Sequence, residues 1–339
     1  MKKNRVRTVL CTGLCLLLAA TALAACRGPA GEEAAVLKVC EVTHSIFYAP
    51  QYAAAELGYF ADEGITLDLT VGEGADAVMA AVLAGQIDVG FAGPEAAIYV
   101  AKEGKADCPR VFAQVTRRDG SFLLARQPDA AFDWQSLRGK VLLPGRKGGV
   151  PYMTLRHVLR AHGLDPDLDL VMDSSVQYAL MGPSFAAGTG DYVTMFEPSA
   201  SAMQAQGSGY IVASVGAEAG DVPYTAYFAL QSRLEKDADL YARFTRALAR
   251  GQRWVADHTA AEIAAVIAPA FPDADPAALQ AGLESYRAIG AWCEDPVMDP
   301  AAFDRLQQIM REAGELDVPV PFNAVVDNTF AEQAARAVG

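Results

Sequence analysis

Apolar positions along the chain form short continuous runs that alternate with amphipathic stretches. Short apolar runs bounded by turn residues are typical of buried strands, and a repeat near 3.6 residues is typical of helices. The first series therefore predicts strands at residues 36–42, 65–71 and 87–92. It predicts helices at residues 49–63, 75–84 and 94–102.

A second series follows the apolar segment 122–124. It predicts strands at 140–144, 168–172 and 192–196, helices at 152–162 and 178–187, and a further strand at 224–230. The remaining chain carries apolar helical faces, for example Leu240, Phe244 and Leu248. Because these late helices have no strands of their own, we expect them to return to the first series.

The alternation predicts an α/β class with mostly parallel sheets covered by helices on both faces. We expect one lobe from residues 36–123 and 226–339, an inserted second lobe from residues 124–225, and two hinge crossings near Leu124 and Thr225. A ligand in such an arrangement binds outside the carboxyl ends of the strands, between the lobes.

The amino-terminal segment predicts export. Residues 1–25 carry four basic residues and then an apolar run too short to span a bilayer, which is typical of a signal peptide. The small residues before Cys26 resemble a bacterial lipobox, so we expect lipidation at Cys26 and a tether over residues 26–35. The alternative is an ordinary cleaved signal with an incidental cysteine.

Charge and cysteine usage exclude several function classes. Removing residues 1–25, with four basic and no acidic residues, takes the net charge from −13 to −17. Such acidity argues against nucleic-acid binding. The remaining cysteines, Cys40, Cys108 and Cys293, lack CxxC spacing, so no metal site is predicted; we expect buried thiols, and a single disulfide stays open.

Five segments together resemble solute-binding proteins of ABC importers, in the group that includes binding proteins for the thiamine pyrimidine precursor and for alkanesulfonates. They are YAPQYAAAELGYFADEGITLDL (48–69), GQIDVGFAGPEAA (85–97), GDYVTMFEPSAS (190–201), VPYTAYFA (222–229) and CEDPVMDPAAFDRLQQIMREAGEL (293–316). The resemblance implies a two-lobed, type II periplasmic-binding-protein-like fold.

It also implies a function. We expect an extracytoplasmic, monomeric binding protein without a cofactor, which delivers a small polar or heteroaromatic solute to a membrane permease. A thiamine-precursor-like ligand is the first choice and a sulfonate the second. One alternative is a pyrimidine-precursor synthase on the same fold, but its cysteine-rich iron-binding segment is missing here, so no catalysis is predicted. Another is a ligand-sensing lipoprotein.

Candidate ligand contacts in the first lobe follow two strands. The loop after the first strand offers Thr43 and His44 as polar groups, and Phe47 and Tyr48 as flat apolar faces. The alternatives are a surface or capping role for His44 and core packing for the aromatic residues.

The corner after the third predicted strand is Gly93-Pro94-Glu95. Glycine allows close approach of backbone to a ligand and proline presets the first helical dihedral. Glu95 is a candidate contact, with a favourable helix-dipole position as the alternative.

Candidates in the second lobe lie at equivalent places. Gly148 and Gly149 form a glycine-rich turn before a helix that also contains Tyr152. Glu197 follows the last strand and could accept from an amino group, or could cap its own helix. Tyr178 and Tyr224 are supporting candidates, with core packing as their alternative.

Overall fold

The computed structural model describes residues 34–338, and from Val36 onward these belong to one compact unit. The predicted signal peptide, the lipidation site Cys26 and nearly all of the predicted tether lie outside the described residues. No helix in residues 34–338 is long and apolar enough to cross a membrane.

A first five-stranded sheet is built from both ends of the described chain. Its strands are β1 (Ala35–Glu41), β2 (Ile65–Val71), β3 (Val89–Ala92), β4 (Pro109–Thr116) and β10 (Thr225–Leu230). Their order is β2-β1-β3-β10-β4; β1 and β3 are parallel, and β10 runs antiparallel to both β3 and β4. The predicted strands agree with β1, β2, β3 and β10 to within two residues.

Helices connect the strands of this sheet. They are α1 (Ala49–Glu56), α2 (Tyr59–Asp62), α3 (Ala75–Leu83) and α4 (Glu95–Lys102). The single helix expected over 49–63 is wrong, because Gly58 adopts a left-handed φ of 76° and separates α1 from α2. Glycine adopts that conformation without the steric cost that a Cβ would bring.

The second sheet comes from one continuous stretch. Its strands are β5 (Ser121–Ala125), β6 (Val141–Leu143), β7 (Val171–Met172), β8 (Tyr192–Phe196) and β9 (Tyr210–Ser214). Their order is β7-β6-β8-β5-β9; β6 is parallel to β7 and β8, whereas β5 is antiparallel to β8 and β9. The strand expected over 168–172 is shorter than predicted, because the turn that closes with the Asp169 N–H donating to the Asp165 carbonyl precedes it.

The helices of this part are α5 (Val150–Ala161), α6 (Tyr178–Ala186), α7 (Ser199–Ala205) and α8 (Val215–Ala219). The described chain also has three 3-10 turns, Ile46–Tyr48, Trp134–Leu137 and Ala268–Ala270.

The chain passes between the sheets twice, and the two crossings are hydrogen-bonded to each other. The Val222 N–H donates to the Arg117 carbonyl and the Tyr224 N–H to the Thr116 carbonyl, at 2.8 and 3.1 Å. The Asp221 carboxylate accepts from the guanidinium groups of Arg117 and Arg118. The first crossing precedes Ser121, so the expected boundary at 123/124 falls inside β5.

Seven helices follow β10 in the described chain: α9 (Gln231–Lys236), α10 (Ala238–Asp257), α11 (Ala260–Ile267), α12 (Pro276–Ala288), α13 (Pro300–Glu312), α14 (Phe322–Val325) and α15 (Thr329–Val338). As expected, α10 packs against α1, α2 and α15 beside the first sheet. However, α12 also contacts α7, and α13 also contacts α5. The carboxyl-terminal helices therefore contact helices that pack on both sheets.

Three thiols in the described chain are free: Cys40 and Cys293 are buried and Cys108 is half-buried. This arrangement agrees with the expectation of buried thiols for two of the three.

Candidate functional site

Aromatic side chains from the two parts of the structure meet near the carboxyl ends of β1 and β8 and the amino end of β10. The ring centroid of Phe47 lies 6.2 Å from Phe196, 5.6 Å from Tyr224 and 4.7 Å from Tyr286. Tyr178 packs edge-on against Phe196 at 6.1 Å. We call these five residues the aromatic cluster; it lies between the two sheets, where the topology predicts a ligand site.

A glycine makes this meeting of rings possible. A Cβ placed on Gly120 would lie 2.8 Å from ring carbons of Phe47 and 3.1 Å from Phe196. Any other residue at this position would push the two rings apart.

The loop after β1 divides its residues between two environments. Ser45 caps the Ile46–Tyr48 turn by accepting from the Phe47 N–H at 3.2 Å. The side chains of Phe47 and Tyr48 are both buried. Phe47 joins the aromatic cluster, whereas the ring of Tyr48 packs on Phe91 at 4.5 Å. Thr43 is exposed.

His44 takes part in a polar network at the end of β1. Its Nδ1 lies 2.9 Å from Glu41 Oε1, its Nε2 lies 2.9 Å from the Ala270 carbonyl oxygen, and its ring stacks on Phe271. The buried Glu41 carboxylate also accepts from Tyr52 and Gln51. Protein groups thus occupy both ring nitrogens of His44, so its predicted ligand contact gains no support.

The Gly93-Pro94-Glu95 corner precedes α4, and the Glu95 side chain folds back over it. A Cβ on Gly93 would lie only 1.9 Å from Glu95 Oε2, so the position requires glycine. Glu95 is 4% exposed, and its Oε2 has no hydrogen-bond partner among the described residues.

Burial raises the pKa of Glu95 to about 7 from an ordinary 4.5. The backbone N–H groups of Glu95 and Val150 and the charge of Arg146 oppose this rise in the pKa. The carboxyl group is therefore costly to ionise and lies close to the amino end of α5.

The glycine-rich turn of the second sheet lies opposite this corner. Gly149 is the N-cap of α5, and the Gly148 carbonyl accepts from Tyr99 Oη at 3.5 Å. Arg146 pairs with Asp76 at 2.6 Å. Both contacts join the second sheet's turn to helices of the first.

Tyr152 lies apart from the aromatic cluster contacts described above. It is buried, and the Arg156 guanidinium lies over its ring, 5.8 Å from the centroid. Arg156 in turn donates to Asp167. These contacts place Tyr152 in the packing of α5.

Glu197 is buried, but its carboxylate is satisfied within the chain. It accepts from the Ser201 N–H at 2.9 Å and from Ser201 Oγ at 2.8 Å, and thus caps α7. Its backbone N–H donates to Tyr286 Oη at 3.0 Å. Of the two uses considered for Glu197, the capping role is the one that these contacts describe.

Tyr224 and Tyr178 border the same space. Tyr224 is 7% exposed, and its Oη has no hydrogen-bond partner in residues 34–338. Burial raises its pKa well above the usual range, with a further contribution from the charge of Asp119. Tyr178 is 51% exposed, so its ring forms part of the rim.

Asp119 is a site residue that sequence reasoning missed. It is fully buried, and its Oδ1 accepts from the Ser121 N–H and Oγ at 2.7 and 2.5 Å. Its Oδ2 has no partner in the described chain, and burial raises its pKa to about 7. The Asp-Gly-Ser turn directly before a buried strand was the available signal.

The site thus combines flat apolar rings with three buried oxygens that lack partners within the described residues: Glu95 Oε2, Asp119 Oδ2 and Tyr224 Oη. Leaving such atoms unpaired costs about 1–3 kcal/mol each. The same stretch, residues 34–338, contains no group of three or more His, Cys, Asp or Glu side chains placed to hold a metal ion.

Comparisons with known proteins agree with this architecture. Residues 41–268 match the NMT1-like family. The chain is also 41% identical over 323 residues, covering 95% of it and 96% of the relative, to a Bacillus subtilis (strain 168) protein named "Putative binding protein YtlA".

The chain belongs to the NMT1-like family. Two solved structures resemble the fold of this chain. One is the ligand-binding component of an ABC-type import system from Staphylococcus aureus, with zinc bound (TM-score 0.70, 14% identity, 89% of this chain and 99% of that one). The other is the alkanesulfonate-binding protein SsuA from Xanthomonas axonopodis pv. citri, bound to MOPS (TM-score 0.67, 18% identity, 88% and 100%).

At these identities the two structures establish the fold alone. They confirm the predicted periplasmic-binding-protein-like class. Each sheet is mixed and not mostly parallel, because β10 and β5 run antiparallel to both of their neighbours. The resemblance to solute-binding proteins is confirmed at the level of the family.

Proposed function

We propose that this chain is the extracytoplasmic solute-binding protein of an ABC importer, which captures a small heteroaromatic solute between its two sheets. The observation that carries the proposal is the set of three unpartnered oxygens, on Glu95, Asp119 and Tyr224, beside the aromatic cluster. A bound solute that donates to the carboxyl oxygens and forms a hydrogen bond with the Tyr224 hydroxyl would remove their desolvation cost.

The chemistry of the site favours an amino-bearing ring. Carboxylate oxygens accept from N–H groups, and Phe47 and Phe196 offer apolar faces to a flat ligand. A thiamine-pyrimidine-precursor-like solute fits this requirement. A sulfonate is the second choice, because it would have to approach two carboxyl groups; the Xanthomonas relative in the comparison binds one.

The two crossings between the sheets support the proposed delivery of the solute to a permease. Two lobes joined by two crossings at Arg117–Asp221 would close on the solute and reopen at a permease. We take the first lobe to be residues 36–123 together with residues 226–339, and the second lobe to be residues 124–225. Each boundary is moved to the nearest observed strand end. The proposal includes a monomer, export through the segment 1–25 and a lipid anchor at Cys26.

Binding without catalysis is part of the proposal. The named relatives are binding proteins, and the site offers acceptors and apolar faces for recognition. No cofactor is invoked.

The test is a ligand screen by thermal unfolding of the purified protein. The panel contains 4-aminopyrimidines, including the thiamine pyrimidine precursor, flavins, amines and alkanesulfonates. A true ligand at 100-fold over its Kd adds about 2.7 kcal/mol to the free energy of unfolding. We expect the aminopyrimidines to raise Tm and the sulfonates to leave it unchanged.

A matched pair of variants locates the binding. Tyr224→Phe removes a hydroxyl at the site, and Tyr59→Phe removes one at a half-buried position, where the ring contacts Arg250. Weaker binding is expected only for the first variant. A Tm unchanged by every compound, or equal losses in both variants, would refute the proposal.

A further inference from the structure

Two helices that pack on different sheets, α4 and α5, begin close to each other between the sheets. α4 starts at Glu95 after the Pro94 N-cap, and α5 starts at Val150 after the Gly149 N-cap. Neither cap residue contributes a side-chain hydrogen bond. In α4 the Ala96 and Ala97 N–H groups already donate to the Gly93 and Pro94 carbonyls, and Pro151 in α5 has no N–H. The N–H groups of Glu95 and Val150 remain at the two helix starts, where both helix dipoles favour negative charge.

The contacts around this point bring the two helix starts together. Tyr99, on α4, donates to the Gly148 carbonyl beside the start of α5. Arg146, in the turn before α5, is paired with Asp76, and these two charges act on the pKa of Glu95 in opposite directions. Backbone N–H groups, a guanidinium and two helix ends are the usual composition of an anion site.

The occupant of this place is a side chain of the protein itself. The Glu95 carboxyl folds over Gly93 and lies near the N–H groups of Glu95 and Val150. It is almost completely buried. The space that a ligand's anionic group would use is thus already filled by a carboxyl group.

A second observation indicates that this place faces a ligand. Tyr224 Oη is more than nine-tenths buried and has no partner within residues 34–338, and the charge of Glu95 contributes to raising the Tyr224 pKa. Glu95 Oε2 is also unpartnered. The Tyr224 hydroxyl and Glu95 Oε2 are therefore two buried polar groups that both lack partners in the described chain.

We propose that Glu95 is a specificity-determining residue, whose carboxyl group occupies the anion position between the starts of α4 and α5 and thereby excludes sulfonates and other oxyanions. The same carboxyl offers Oε2 to a ligand N–H. The inference rests on the proposed binding site between the sheets, but it requires no knowledge of the natural solute.

The test is to empty that position and offer small oxyanions. Glu95→Ala is titrated by calorimetry with methanesulfonate, sulfate and inorganic phosphate at constant ionic strength. We expect the variant to bind at least one of these probes about tenfold or more tightly than the unmodified chain. Glu95→Gln, which removes the charge but keeps the volume, is expected to gain less.

The control is Glu332→Gln, at an exposed position in the first turn of α15. It should leave anion binding unchanged. If Glu95→Ala does not fold, Glu95→Gln decides: binding no tighter than that of the unmodified chain overturns the inference. Tight sulfonate binding by the unmodified chain overturns it as well.

The result is separable from that of the ligand screen. If no panel compound stabilises the unmodified chain but Glu95→Ala binds oxyanions, the anion position exists and the proposed solute class is wrong. If aminopyrimidines bind and Glu95→Ala gains no anion affinity, the proposed function survives and the role given to Glu95 fails.

Discussion

Two glutamates in similar local positions have different surroundings. Glu95 and Glu197 each follow a strand and adjoin the start of a helix. Ser201 donates twice to Glu197, whereas Glu95 keeps an oxygen without a partner in the described chain. Because a satisfied carboxylate gains little from a new donor, Glu95 is the better candidate for ligand contact.

The raised pKa of Glu95 makes the stability of the empty protein depend on pH. Its pKa is about 7 in the folded chain and near 4.5 when unfolded, so the folded state binds more protons between these values. This group therefore lowers the free energy of unfolding as pH rises from 4.5 to 7, by up to about 3 kcal/mol.

Urea unfolding at pH 5 and pH 8 measures this dependence. Glu95→Gln cannot ionise, so we expect it to lose less stability over the interval than the unmodified chain, while the exposed Glu332→Gln keeps the original dependence. Identical pH dependence in all three proteins would show that the Glu95 carboxyl is ionised without cost.

Sequence patterns located the strand ends but could not identify which side chains remain unsatisfied there. Phe47, Glu95 and Tyr224 were predicted because they flank strands. Asp119 was missed because its importance depends on two facts of the folded structure. It is fully buried, and Ser121 donates to only one of its two carboxylate oxygens. That distinction follows from three-dimensional packing, and no local pattern contains it.

At the scale of elements, α12 links the two halves of the site. Its Gly282 lies against Ile46, in the loop after β1, and against Glu197, at the end of β8. A Cβ there would be 2.7 Å from Ile46 Cδ1 and 3.0 Å from Glu197 Cβ. The absence of a side chain at this position allows α12 to contact both.

Gly282→Ala is therefore expected to destabilise the protein by about 1–3 kcal/mol, in spite of the better helix propensity of alanine. Gly182→Ala is the matched control within α6, because a Cβ there meets only the flexible ends of Met195 and Met203 at 3.3 and 3.5 Å. We expect this control to be neutral or stabilising. Denaturant unfolding compares the two, and equal effects would contradict the proposed role of Gly282.

Element prediction succeeded where a largely buried parallel strand is followed by a helix, as in β1 and β3. It failed where the order of apolar and polar residues does not by itself distinguish a strand from a helix or a loop. β4 and β9 were not predicted: β4 mixes Arg110 and Gln114 with apolar residues, and β9 is a half-buried edge strand. Both are placed by antiparallel pairing with distant strands, which local sequence does not contain.

At the scale of the whole molecule, side-chain pairs within residues 34–338 connect parts of the chain that belong to different sheets. Arg146 pairs with Asp76 at 2.6 Å, and His157 on α5 pairs with Glu312 on α13 at 2.7 Å. These contacts lie far along the chain from the crossings. Because each contact joins groups that belong to different sheets, they favour the arrangement of the two sheets seen here.

Replacing both acidic partners, with Asp76→Asn and Glu312→Gln together, should favour opening. Exposed pairs contribute about 0.2–1 kcal/mol each, so ligand affinity is expected to fall by a few-fold and the radius of gyration to rise. The control replaces Asp239 and Glu332, whose pairs with Arg243 and Arg336 lie within single helices. X-ray scattering that reports the same size for both double variants would rule out a role in closure.

The place of β10 in the first sheet also sets an order of assembly. β10 pairs with both β3 and β4, yet the whole second sheet is synthesised between β4 and β10. A chain emerging from its amino end thus holds every strand of the second sheet before the first can be completed. A product truncated before Thr225 would leave β3 with one open edge and β4 without a strand partner, and a chaperone could bind these exposed strands or such fragments could aggregate through them.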